Sequence, residues 1–344
     1  MRPKRDPIKW TIWGLMAVGL VWGLFFVPNG PQYLINGIRF GSILMLGAIG
    51  LSLTYKILNF ANFSHGDILI FGAYVAISTD WLLFRLLSRW FPALATQAED
   101  VVRWLAVALA LIVGVLAGIA MAYLIDRVLY RRMRRSAAVV LIIASFGMAL
   151  FLRSLVQALW GTGLQRYAIL VRPGTVFDFG FFRIRLSFLE MVTIVAALAL
   201  IIGLHLFLKY TRTGKAMRAM SDNMDLARVS GINTERMIAW TWAIGAGLAV
   251  VAGVFMGLNF GGLKPDTGAL VLLSLFAAVI LGGIGSPYGA MLGGLVIGLA
   301  ENILVAPAIP SIPTAYQPAI AFILMILMLL VRPQGLLGEA ERRG

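Results

Sequence analysis

The sequence predicts an all-α, polytopic membrane protein of eight to ten transmembrane helices, several of them interrupted by glycine. Three observations point there. Of 344 residues, 60% are hydrophobic and only 13% are charged, against about 25% charged in soluble domains. The mean hydropathy is +0.90, so lipid is the main solvent of the chain. Long apolar windows recur from end to end, and none shows the alternation of a membrane β-barrel strand. A backbone in lipid must satisfy its own hydrogen bonds, so such windows are helices. No single globular core could hide this apolar fraction. Ordinary soluble enzymes and nucleic-acid binders are excluded on that ground.

The first window, Trp10–Val27, follows the basic stretch Met1–Lys9 and leaves through Pro28-Asn29-Gly30-Pro31. It has no small-x-small cleavage pattern, so it reads as an uncleaved first helix rather than a signal peptide. The next windows are Tyr33–Ile57, Ile68–Phe84, Trp104–Ile125, Ala137–Trp160 and Phe188–Leu208. Met237–Asn259, Leu270–Ile284, Met291–Val305 and Ala319–Val331 complete the series. Several are short or break at Gly and Pro, hence eight to ten passes rather than a fixed number. The chain reads as one transmembrane domain over 1–344.

Charge supplies the orientation. Lys and Arg exceed Asp and Glu by 14, but the excess is a topology signal rather than a nucleic-acid footprint. Eighteen of the 29 basic residues fall in four short segments: Met1–Lys9, Arg127–Arg135, Lys209–Arg236 and the tail 332–344. Alternating passes put all four on one face, which the positive-inside bias makes cytoplasmic. Both termini are then cytoplasmic. One outer loop, Gly161–Ser187, carries four arginines against Asp178 alone; it reads as a solvated loop or as a contact for an acidic partner. There are no cysteines and only two histidines, His65 and His205, far apart. No cofactor or metal site is expected.

Three stretches depart from plain spanning helix. The first, Asn59-Phe60-Ala61-Asn62-Phe63-Ser64-His65-Gly66-Asp67, lies between two apolar runs. So many polar groups are expensive at membrane depth unless they line a cavity or face protein. Two readings stand. Asn59, Asn62, Ser64, His65, Gly66 and Asp67 form a broken-helix site on a solute path, or they form a short inner hairpin with Asp67 in the first turn of the next helix. A proton relay through His65 and Asp67 is the weaker third reading, since no ionisable residue accompanies them in sequence. The second stretch is Gly282-Gly283-Ile284-Gly285-Ser286-Pro287-Tyr288-Gly289. Three glycines and a proline in six residues must interrupt a helix, and Gly285, Gly289 and Gly293 recur at the spacing of close helix packing. Paired breaks in opposite halves of a chain point to a translocation path. The two breaks are expected to face each other across the core.

The third stretch, Tyr210–Glu235, is the longest polar segment. Gly214 to Val229 reads as one amphipathic helix, with Met217, Met220 and Met224 on an apolar face and Arg218, Asp222 and Asp225 elsewhere. Gly231 ends it as a C-cap. Such a helix rests on lipid headgroups or docks on a cytosolic protein.

The motifs Asn59-Phe60-Ala61…His65-Gly66-Asp67 with Gly72-Ala73-Tyr74, Gly214-Lys215-Ala216-Met217-Arg218-Ala219…Asp225-Leu226-Ala227…Gly231-Ile232-Asn233-Thr234, and Ala277–Ser286 with Gly289-Ala290 and Gly293-Gly294, taken in that order, resemble the membrane subunit of branched-chain amino-acid ABC importers. The resemblance covers nearly the whole chain. Two departures are visible: Asn62-Phe63-Ser64 lengthens the first motif, and Trp81–Arg103 looks like an added outer amphipathic segment. The resemblance implies a type II ABC importer permease in the bacterial inner membrane. It implies a second homologous permease subunit, two cytosolic ABC ATPases and an extracytoplasmic solute-binding protein as partners, with membrane lipid around them. It also implies that Gly214, Ala216, Arg218, Ala219, Asp222, Asp225, Ala227, Gly231 and Ile232 couple the permease to the ATPase. The chain has no GxxxxGK[ST] loop to cradle ATP phosphates, so it is expected to be a transport subunit rather than an enzyme. Branched-chain amino acids are the expected solute. Urea or short amides are the alternative within the family, and an ion-coupled transporter or channel is the alternative outside it. That last class expects carboxylates in the membrane, and Glu301 is the late candidate, expected to pair or to sit at the outer interface.

Overall fold

The computed structural model describes residues 14, 18, 19, 21, 29–92, 99–134, 136–169, 174–178, 180, 183–305 and 316–338. Among the described residues eleven named helices follow one another: α1 Gly30–Leu58, α2 His65–Trp90, α3 Glu99–Ile125, α4 Ala138–Trp160, α5 Phe188–Tyr210, α6 Arg212–Asp222, α7 Met224–Val229, α8 Thr234–Asn259, α9 Thr267–Gly282, α10 Pro287–Ile303 and α11 Gln317–Val331. Helix α3 continues through a π-helical turn, Asp126–Tyr130, to Met133. Nine of the ten predicted windows coincide with α1–α5 and α8–α11; the first, Trp10–Val27, lies outside the described residues but for four positions.

Among the described residues six helices are long and apolar enough to cross a membrane: α1, α2, α3 with its extension, α4, α5 and α8. The other four expected windows are the first, which lies outside the described residues but for four positions, and the shorter helices α9, α10 and α11. The last third of the chain is cut short by its glycines and prolines, leaving α9, α10 and α11 with 16, 17 and 15 residues, below the ~20 that span a bilayer upright.

The core forms around α1, which packs against α10, α8 and α9, while α2 lies along α3 and α8. Small residues set these distances. A Cβ on Gly298 of α10 would fall 2.3 Å from Gly41 Cα of α1, so the two backbones touch as a small-xxx-small contact allows. Trp242 and Tyr74 are fully buried in this core.

Two further expectations change, at Trp81–Arg103 and at Gly214–Val229, and the all-α fold carries one small addition. Thr175–Asp178 (β1) and Arg183–Leu186 (β2) pair as an antiparallel hairpin. Gln32 at the head of α1 holds it by accepting from Arg185 N at 2.6 Å and donating to Arg185 O at 3.1 Å. Trp81–Arg103 is no separate amphipathic segment. Its described parts continue α2 and open α3, tied to the 161–187 loop by Trp81 Nε1 donating to Arg166 O at 2.9 Å. Arg103 lies over the Phe84 ring at 4.4 Å. The predicted single helix over Gly214–Val229 is two, α6 and α7. Asn223 adopts an extended conformation and caps the second with its side chain, 2.9 Å from Leu226 N. A side chain that competes for backbone donors breaks a helix where periodicity alone continues it.

Candidate functional site

The polar break before α2 is built from the end of α1. Asn59 takes a left-handed conformation, φ +54, and its N–H closes on Tyr55 O at 2.8 Å. Asn tolerates that geometry better than most residues. Asn59 is exposed, whereas Asn62, Ser64, His65 and Asp67 are each no more than 1% exposed. Most of their polar atoms are met by protein, the Asn62 Nδ2 excepted. Asn62 Oδ1 accepts from Ser64 Oγ at 2.7 Å and from Tyr130 Oη at 3.1 Å. His65 Nε2 lies 3.0 Å from Gly47 O in the middle of α1; a carbonyl only accepts, so Nε2 carries the proton. Asp67, in the first turn of α2, accepts Arg153 Nε at 3.1 Å and Nη2 at 3.2 Å. Ser145 of α4 accepts Phe63 N at 3.1 Å. Gly66 has to be glycine, because a Cβ there would fall 2.3 Å from Gly268 O.

Tyr130 closes the cluster from the π-helical turn, a deviation that recurs at functional sites. Its ring stacks on Trp242 of α8, centroids 5.5 Å apart and planes 2° from parallel. The cluster therefore ties α1, α2, α3, α4 and α8 together at one level. Sequence reading found the break but not Tyr130, Ser145 or Arg153. The last had a signal: Arg153 is the one charged residue in Ala138–Trp160, and a lone arginine inside an apolar span has a partner. The ionisable neighbour that His65 and Asp67 lack in sequence is thus supplied by the fold.

The second break follows α9. Gly283 has φ +112, which favours glycine, and Ser286 Oγ accepts Gly289 N at 3.1 Å to start α10 behind Pro287. The carbonyls freed at the end of α9 are taken up by the chain's own C-terminal stretch. Leu336 N donates to Leu281 O and Leu337 N to Gly282 O, both at 2.9 Å. The two breaks sit at opposite ends of α9. Gly66 touches Gly268 and Gly282 touches Gly289, about 21 Å apart along a helix rising 1.5 Å per residue. They do not face each other as expected; it is Lys56, in the last turn of α1 before the first break, that runs beside Gly285, its Cγ 3.6 Å from the place of a Cβ. Glu301 of α10 is buried and accepts Ser274 Oγ at 2.7 Å.

The third stretch lies at the end of the bundle that carries Lys56, Arg131 and Arg134. Lys56 pairs with Asp222 at 4.0 Å, and Arg131 with Glu235 at 3.3 Å. Gly214, Met217, Met220 and Ala227 face the bundle, and Ala216 and Ile232 are half-buried. Gly231 has φ +83, and Ile232 N closes on Ala227 O at 3.0 Å. Arg218, Ala219, Asp222, Asp225 and Gly231 are exposed together with two apolar side chains, Leu226 at 63% and Val229 at 82%. The motif thus divides into an inward half that packs the segment and an outward half that offers two aliphatic knobs among charges.

At the other end, the hairpin carboxyl of Asp178 is held below the usual carboxylate range by the Gly180 N–H and by the Arg183 guanidinium.

A family model described as branched-chain amino acid transport system / permease component matches residues 33–329. Over 311 residues the chain is 34% identical to the high-affinity branched-chain amino acid transport system permease protein LivH of Salmonella typhimurium and to LivH of Escherichia coli. It is equally identical, over 311 residues, to the corresponding permease protein BraD of Pseudomonas aeruginosa. Each alignment covers 90% of this chain and 96% of the relative.

Proposed function

The chain belongs to the family of permease components of branched-chain amino acid transport systems, and from that premise we propose that it is the membrane subunit through which an ATP-driven importer moves branched-chain amino acids into the cytoplasm. It works with a second homologous permease subunit, two cytosolic ABC ATPases and an extracytoplasmic binding protein, and both its termini lie in the cytoplasm. The four basic segments support that orientation. The segment 209–236 is the coupling element. The observation that carries this is the exposed pair Leu226 and Val229 on α7, a short helix set between two spans and surrounded by Arg218, Asp222, Asp225 and Arg228. Aliphatic side chains ringed by both signs of charge suit a protein groove better than anionic lipid, which wants Lys and Arg along one face.

The breaks at Asn59–Asp67 and Gly282–Gly289 border the solute path. Their support is chemical: helix ends and amide and hydroxyl groups hold a zwitterion without a strong charge. In the state described here the first break is sealed by its own hydrogen bonds, so opening the path means separating Asn62 and Ser64 from Tyr130. A rigid shift of the π-helical turn, driven from the coupling segment, does that.

Leu226→Asp with Val229→Asp, or Arg218→Glu with Asp222→Lys, tests the assignment in proteoliposomes holding the whole importer. Uptake is expected to fall at least roughly tenfold, as for an interface anchor, with membrane insertion intact. Normal uptake and normal stimulation of ATP hydrolysis in these variants would overturn the coupling role.

A further inference from the structure

We infer that Arg153 of α4 receives the carboxylate of the passing amino acid. The inference rests on the transport function proposed above and adds to it the residue that recognises the solute's charge. Helix α4 is a mostly apolar stretch of 23 residues with this single charge. Asp67 takes Nε and Nη2, one oxygen to each. Nη1, with two N–H groups, has no acceptor among the described residues. The Asp67 side chain is 2% exposed, whereas that of Arg153 is 24% exposed, so the open part of the pair is on the arginine side.

Lipid offers the remaining Nη1 donors no partner, and unsatisfied donors of a charged group inside a span are costly. On this inference the open side of Arg153 faces a water-filled path, and its surroundings fit a solute that is polar at one end. Gln157 stands one turn along on the same side of the helix, while Phe146 and Leu150 on the preceding turns are 54% and 47% exposed. The same break that supplies Asp67 holds a second spare donor, the buried Nδ2 of Asn62, which has no partner. A guanidinium already neutralised by Asp67 gives a carboxylate two directed hydrogen bonds without a full opposite charge. The hold is then weak enough for release, as transport requires. The aliphatic and aromatic neighbours suit a branched side chain.

The native chain has no cysteine, so Gln157→Cys introduces a single thiol beside Arg153. In the assembled importer, Cys at 157 is expected to react with charged, water-borne thiosulfonates. A sulfonate-bearing reagent should react several-fold faster than an ammonium-bearing one, and the paired variant Asp67→Asn with Arg153→Gln should abolish that preference. Arg153→Lys keeps a cation for Asp67 but loses the free fork, and should lower leucine taken up per ATP hydrolysed by roughly tenfold. The idea is overturned if Cys at 157 resists both reagents through the whole nucleotide cycle, or if Arg153→Lys transports leucine as well as the unsubstituted complex. Where a variant fails to assemble, labelling in the otherwise native chain still decides. Failure of the unsubstituted complex to take up amino acids would sink the transport reading instead, and the charge preference at 157 is read without it.

Discussion

Helices α5 and α8 each contain a long apolar window, and that of α5 is the more hydrophobic, yet 72% of the apolar window of α8 is buried in the subunit and only 17% of that of α5. Helix α4 behaves like α5, with 28% buried. Hydropathy measures how well a segment tolerates lipid. What it buries against protein depends on small residues that let backbones meet. Helix α8 carries Gly245, Gly247, Gly253 and Gly257, whereas α5 carries only Gly203. In lipid there is no hydrophobic gain from joining two helices, so packing and hydrogen bonds decide which surface becomes core. The helices left open are the ones available to another subunit or to lipid.

The same type of substitution in both regions gives the largest contrast. Gly50→Val in α1 would press a side chain to within 2.5 Å of Gly245 O. Backbone cannot give way as a flexible side chain does, so it should cost roughly 3 kcal/mol or more and empty the membrane of folded protein. Gly203 of α5 has nothing within 4 Å of a Cβ, and Gly203→Val should leave thermal stability in detergent nearly unchanged. Equal losses at both sites would break the comparison.

Within the buried region, the hydrogen-bonded break should respond next. Asn62→Leu removes the acceptor shared by Ser64 and Tyr130. Stranded hydroxyls cost about 1–3 kcal/mol, read as a lowered unfolding temperature. His65→Gln, which can still donate to Gly47 O, should cost less. If Asn62→Leu were neutral, the cluster would be open to water already.

Gly→Ala on the open helices sharpens the picture from the other side. Gly147 of α4, like Gly203, has no neighbour within 4 Å, so Ala should stabilise the helix by up to ~1 kcal/mol. Reduced pairing of subunits with unchanged subunit stability would mark that face as a contact between permeases.

The smallest effect belongs to the hairpin. Asp178 has a lowered pKa when folded, so its contribution is present above the unfolded carboxylate value and is lost as pH falls through the folded one. Hydrogen exchange of the Gly180 amide should be insensitive to pairing changes near neutral pH, apart from the intrinsic chemistry, and should show loosening only in acid. Asp178→Asn should remove that acid step without touching the membrane core.

The sequence by itself determined the place of nine helices, with ends off by up to six residues, because an apolar window in lipid has one way to satisfy its backbone. It also marked both breaks and the polar segment between α5 and α8, since Asn, Gly, Pro and charge in such a chain have few other uses. Asn223 was visible but unread, as a helical wheel scores faces and not caps. Only the tertiary structure decided the rest. Asp67 finds Arg153 across 86 positions, Asn62 finds Tyr130 across 68, and Leu336 and Leu337 seal carbonyls at Leu281 and Gly282. A polar group's partner in a membrane protein is fixed by which helices lie together, and glycine spacing along the chain marks close packing without saying which helix is the partner.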